Sequence, residues 1–76
     1  MKTATGREIE KAIRMFMPVG KAYNTEELSF FCKDKIKPKQ VFVDTEKCNC
    51  VARYLVKEGI LASTRINSKY YFKRVV

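Results

Sequence analysis

The apolar residues of this chain change their spacing once, after Leu61. Before it they recur at intervals of three and four, the period of one helix face, and after it they alternate, the period of a strand. A chain patterned in this way is expected to fold as helices first and paired strands last. The stretch just before the change is the clearest: Cys48, Val51, Ala52 and Leu55 fall at i, i+3, i+4 and i+7. Asp44 or Thr45 is positioned to cap this helix, and Gly59 suits the left-handed residue that ends one.

Two earlier helices follow from the same logic. Thr5 and Glu8 form a capping-box pattern ahead of Ile9, Ala12, Ile13 and Phe16, and Pro18 with Gly20 closes the segment. In "NTEEL" either Asn24 or Thr25 caps a second helix with Leu28, Phe31 and Cys32 on one face. That helix is expected to end near Lys33 or Asp34, because Pro38 disfavours helical geometry at Lys37. The connection that follows, "IKPKQVFVD", is the least readable part: Gln40 to Val43 fits a short helical turn or an extended piece, with Val41 or Phe42 reaching the core.

Beyond Leu61, residues rich in Thr, Ile, Tyr, Phe and Val flank "NS", the mark of a hairpin turning at Asn67 and Ser68. Pairing Ile66 with Lys69 sets Arg65 against Tyr70, Ser63 against Phe72 and Leu61 against Arg74. That register gathers Leu61, Tyr70 and Phe72 on the inward side. It leaves Thr64, Lys69, Tyr71 and Lys73 outward. Tyr70 and Phe72 are therefore both expected to pack in the core.

Seventy-six residues imply one domain, 1–76, with a single small core. A chain that is 46% hydrophobic, with three glycines and two prolines, is globular rather than disordered. No apolar run reaches the roughly 18 to 20 residues that span a bilayer, and charges stand where a signal peptide has its apolar stretch. A cytoplasmic setting is expected, on the nucleoid if the source is bacterial, with no membrane partner.

Charge narrows the partner. Sixteen Lys and Arg against eight Asp and Glu leave a net charge of +8, so a polyanion is the first expectation. The charge is clustered. From Gly59 onward stand Arg65, Lys69, Lys73 and Arg74 with no acid, and "KDKIKPK" sets four lysines against Asp34.

Three cysteines and no histidine make a poor metal set. Cys48 lies in the apolar stripe while Cys50, two residues on, points away from it, so the two cannot grip one ion. Cys32 and Cys48 read as small buried hydrophobes. Cys50, near Lys47, Arg53 and Lys57, reads as an exposed thiol, incidental or redox-sensitive. No nucleophile sits beside a base and no glycine-rich phosphate loop is present, so no enzyme, cofactor, metal or small-molecule substrate is expected. Glu26 and Glu27 suit a helix N-terminus better than acid and base chemistry.

With the core face removed, residues 45–58 present Glu46, Cys50, Arg53 and Lys57, flanked by Lys47, Asn49 and Tyr54. Asn and Arg can bond base edges bidentately, Glu can accept from cytosine, and Lys and Tyr suit phosphates. The order of three helices and a two-stranded wing, together with "NTEELSFFC", "VARYLVKEGIL" and "STRINSKYYFKRV", resembles the winged helix-turn-helix DNA-binding domains from about Thr5 to Val75. The ten residues from Asp34 to Val43 exceed the short turn usual in that family. The resemblance implies an α+β fold with a C-terminal two-stranded β-hairpin wing, acting as a small regulator on double-stranded DNA. By the same resemblance Thr45, Glu46, Asn49, Cys50 and Arg53 face base edges, and Lys47 and Lys57 face phosphates. Arg65, Asn67, Ser68, Lys69, Tyr71 and Lys73 of the wing (about 61–75) follow the backbone or minor groove, and Asn24 and Thr25 offer helix-start N–H groups to a phosphate. A dimer or a partner protein is expected to add selectivity. The rival expectation is a winged-helix interaction module, of phage or plasmid type, that docks an acidic protein without specific DNA binding. RNA binding ranks below both, since no RNA-module motif is present.

Overall fold

Each helix starts where a side chain satisfies its free backbone donors. In the computed structural model, which describes residues 2–36 and 41–76, α1 spans Gly6–Phe16 and α2 spans Thr25–Lys35. Both open with a full capping box. Thr5 Oγ1 accepts from the Glu8 N–H while Glu8 accepts from the Thr5 N–H, and Asn24 and Glu27 repeat the exchange at 2.8 and 2.9 Å. The cap of α2 is thus Asn24 rather than Thr25. α3 spans Thr45–Lys57 with Asp44 as its cap, accepting from the Glu46 N–H. Gly59 follows at φ +81°, the left-handed residue that lets the chain leave the helix toward the sheet.

α2 runs to Lys35, one residue beyond Asp34, where the proline was expected to stop it. Pro38 constrains the residue before it, not the third before it, so the helix continues until Ile36 turns extended at ψ 137°. The readable part of the connection to α3 is a strand: β1 (Lys2–Thr3) pairs in parallel with β3 (Val41–Phe42), and the Ala4 N–H donates to the Phe42 carbonyl at 2.8 Å. The extended alternative therefore holds for Val41 and Phe42, with Val41 fully buried and Phe42 half exposed. Gln40, with residues 37–39, lies outside the described residues.

The hairpin consists of β4 (Leu61–Ile66) and β5 (Lys69–Arg74), in the register the alternation predicts: Ile66 with Lys69, Arg65 with Tyr70, Ser63 with Phe72, and Leu61 with Arg74. Asn67 and Ser68 have φ of 50° and 67°, the paired left-handed conformation of a two-residue turn that matches strand twist. The sheet, however, has three strands where two were expected. β2 (Ala22–Asn24), between α1 and α2, pairs antiparallel with β5, so the order is β2-β5-β4 and β5 is central. β2 is too short for alternation to reveal it. It forms because β5 would otherwise leave a row of backbone groups unpaired on that side.

The buried residues form one cluster, drawn from all three helices, Val41, Leu61 and Phe72. Phe72, 1% exposed, ties the sheet to the helices. Arg74, part of the C-terminal positive cluster, is turned inward. Its guanidinium donates to the carbonyls of Met17 at 2.9 Å and Ile13 at 3.4 Å, covering the C-terminal end of α1. Among the described residues no helix is long and apolar enough to cross a membrane.

Candidate nucleic-acid interface

α3 turns its buried face, Cys48, Ala52 and Leu55, to the core, and Glu46, Cys50, Arg53 and Lys57 stand exposed. Val51 is half-buried and packs toward α1, where its Cγ2 lies 3.7 Å from where a Cβ on Gly6 would stand. This is the rotation the apolar stripe dictates.

Asn49 is a half-buried residue rather than a free one. It sits at the junction of α3, the start of α2 and the hairpin, and its Oδ1 accepts a long hydrogen bond, 3.4 Å, from Thr25 Oγ1. Two adjoining recesses meet there, about 320 Å³ each. One is lined by Asn24, Thr25, Glu26, Asn49, Ser68, Lys69 and Tyr70. The other is lined by Asn49, Arg53, Val56, Ser63, Tyr70 and Phe72. Asn49 and Tyr70 belong to both, so the recesses form one groove between α3 and the hairpin.

Three separated stretches therefore converge: Asn24 and Thr25, Asn49 and Arg53, Ser68 and Lys69. Arg65 joins them through Tyr70, its guanidinium carbon 5.7 Å from the ring centre. Asn67 stands exposed at the hairpin tip beside Ser68. Other predicted residues lie elsewhere. Lys47 reaches back to the Ala4 carbonyl at 3.5 Å. Thr45 lines a different groove with Phe30, Lys33, Phe42 and Val43. Tyr71 and Lys73 alternate with Phe72 along β5 and so occupy the opposite face of the sheet, Tyr71 half-buried between Asn24 and Thr64. The single surface that the resemblance implied is in fact a groove and a separate outer sheet face.

Tyr70 was expected in the core and is 51% exposed. It shares the inward face with Phe72 but lies one repeat nearer the tip, where the hairpin has outrun the helices beneath it. Its pairing with a charged residue, Arg65, was the available signal that this position lies beyond the core. Val56, Ser63 and Glu26 are the other groove residues that the pattern did not single out.

Electrostatics favour an anion. Among the described residues the ion pairs are Lys2 with Glu8, Arg14 with Glu10 and Lys35 with Asp34. None of them involves Arg53, Lys57, Arg65, Lys69 or Lys73. Glu26 is the acid lining the groove and offsets part of that charge.

The cysteines lie as the helical spacing requires: Cys32 and Cys48 are buried, and Cys50 is exposed. The neighbouring Cys48 thiol and burial both push the Cys32 pKa up, so it stays protonated. Its Sγ lies 4.0 Å from the Ile9 carbonyl, within donating reach. Among the described residues no group of three or more His, Cys, Asp or Glu side chains stands close enough to hold a metal ion.

Comparison with protein-family models, with curated proteins and with solved structures finds no match to this chain.

Proposed function

We propose that the chain is a sequence-reading, double-stranded DNA-binding protein of the winged-helix type, acting as a small transcriptional regulator. The observation that carries this reading is the convergence of Thr25, Asn49, Arg53, Ser68 and Lys69 on one groove, from stretches far apart in sequence. The order of three helices and a hairpin supports the winged-helix assignment, and the third strand gives the hairpin a stiff base.

The dimensions suit the task. Thirteen residues make α3 about 20 Å long, enough to lie across a major groove about 12 Å wide. In that pose Glu46, Cys50 and Arg53 point at base edges, Lys57 at a phosphate, and Lys69 with the hairpin tip at the neighbouring backbone. The capping box of α2 uses the N–H groups of Asn24 and Glu27, which leaves those of Thr25 and Glu26 for a phosphate.

The test is selection from a random duplex pool, followed by fluorescence titration of an enriched sequence at two salt concentrations. Arg53→Ala is expected to cost about 1 to 3 kcal/mol on that sequence and to relax preference at one base. Lys69→Ala is expected to weaken every sequence alike and to lower the salt slope by about one. Salt-independent binding, or none, overturns the proposal.

One observation favours the rival reading. Phe30 and Phe42, 70% and 53% exposed, line a groove with Lys33 and Val43, away from α3's reading face. Exposed aromatic rings beside a lysine are what a protein partner with an acidic, apolar segment would cover. A defined protein that co-purifies with the wild type and is lost from Phe30→Ser, with no duplex selected, would support that reading.

A further inference from the structure

The reading surface is not only a convex helix face; it contains the recess between α3 and the hairpin. We propose that this recess admits one unpaired nucleobase of a bound nucleic acid, and that it prefers a base with a carbonyl oxygen, not an amino group, at C4 or C6: thymine, uracil or guanine. The inference rests on the nucleic-acid reading above and goes beyond it, since paired bases in a duplex offer edges and not faces.

The lining of the recess argues for a base against a phosphate. Its inner part is hydrocarbon, Val56 and the almost fully buried Phe72, where a phosphate would lose its water and find no donor. A planar ring suits such a lining. Tyr70 supplies an aromatic wall that is half exposed without a ligand, and Arg65 already packs on that ring. Stacking on an aromatic side chain is how proteins hold bases removed from a duplex stack.

The polar groups at the rim select the kind of base. Arg53 can only donate. Asn49 already accepts from Thr25 through Oδ1, which leaves its amide N–H groups for a ligand. The Ser63 hydroxyl adapts to either role. Glu26, which can only accept, lines the adjoining recess, so donors predominate in the one lined by Val56 and Phe72, and their natural partners are carbonyl oxygens. Lys69, on the wall next to Tyr70, is positioned for the phosphate of the same nucleotide.

The experiment is anisotropy titration of the full chain with hairpin duplexes that are identical except at one bulged position, which carries thymine, guanine, adenine, cytosine or an abasic sugar. A bulge removes the cost of unpairing, so affinity reports the recess itself. The thymine and guanine bulges are expected to bind about tenfold tighter than the abasic bulge. Tyr70→Ala should erase that difference, bringing base-bearing bulges down to the affinity of the abasic one, and Tyr70→Phe should keep it. The wild-type series decides even if Tyr70→Ala fails to fold. Equal affinity for base-bearing and abasic bulges overturns the inference and leaves duplex recognition standing; a preference for adenine or cytosine overturns the keto assignment. Failure to bind any duplex, bulged or perfect, overturns the nucleic-acid reading and this inference with it.

Discussion

Arg74 illustrates how one side chain can be withdrawn from a charged surface by a geometric need. Carbonyls at the end of any α-helix lack intrahelical partners, and Arg74 Nη1 donates to that of Met17, the cap of α1, and also to Ile13, whose carbonyl already accepts from the Met17 N–H, while its Nε donates to the Val76 carbonyl. The contact joins the last strand to the first helix. Arg74→Ala is expected to lower stability by about 1 to 3 kcal/mol, as loss of charge-assisted hydrogen bonds does. Arg74→Lys should restore part of it, because both carbonyls take their bonds from the single nitrogen Nη1, which an ammonium can imitate, while the Nε bond to Val76 is lost. Urea unfolding of the three proteins measures this, and an unchanged midpoint for Arg74→Ala would refute the role. The same replacement should leave salt-dependent DNA affinity nearly unaltered, in contrast to Lys69→Ala. Charge counted from the sequence alone assigns both residues to one basic cluster.

At the scale of the element, the hairpin is the part in which local sequence and fold agree most closely. Alternation places Phe72 and Leu61 inward, and one slip would carry Phe72 into solvent, so the register follows from burial. The turn carries some strain. Ser68, at φ 67°, holds a conformation that costs an L-residue with a side chain roughly 1 to 2 kcal/mol, whereas asparagine at position 67 tolerates it better. Ser68→Gly is therefore expected to raise stability by about 1 kcal/mol, measured as a higher Tm, with no change in fold. A lower Tm would mean that the Ser68 side chain, which lines the groove, does more than close the turn. The shorter strands are the opposite case. β1, β2 and β3 have two or three residues each, too few to show a period, and they exist because a neighbouring strand or chain segment presents unpaired backbone.

For the molecule as a whole, the net charge of +8 carries a weakness. Acid raises that charge further and strengthens self-repulsion. Against this background Glu8 has a definite part. Its carboxyl is held below the ordinary glutamate range, first by the hydrogen bond from the Thr5 backbone, then by Lys2 and the Thr5 side chain, with partial burial opposing. A depressed pKa in the folded state means the stabilisation is fully present above the ordinary glutamate value and is lost as pH falls through the lower, folded value. Thermal unfolding from pH 7 down to pH 3 should show that loss, and Glu8→Gln should make the decline shallower. Identical pH profiles for the two proteins would show that the capping box does not couple to acid sensitivity.

The sequence by itself determined the three helices, the cap at Thr5, the hairpin and its register, and it narrowed the other two caps to Asn24 or Thr25 and to Asp44 or Thr45. It also determined which side of residues 45–57 is buried. Each of these depends on interactions between residues near in the chain or on a periodicity that a few residues display. Tertiary structure alone decided that Asn49 meets Thr25, that Tyr70 lies beyond the core, and that Arg74 covers the end of α1. Those outcomes depend on where one element ends relative to another in space. No spacing within a single element encodes that distance.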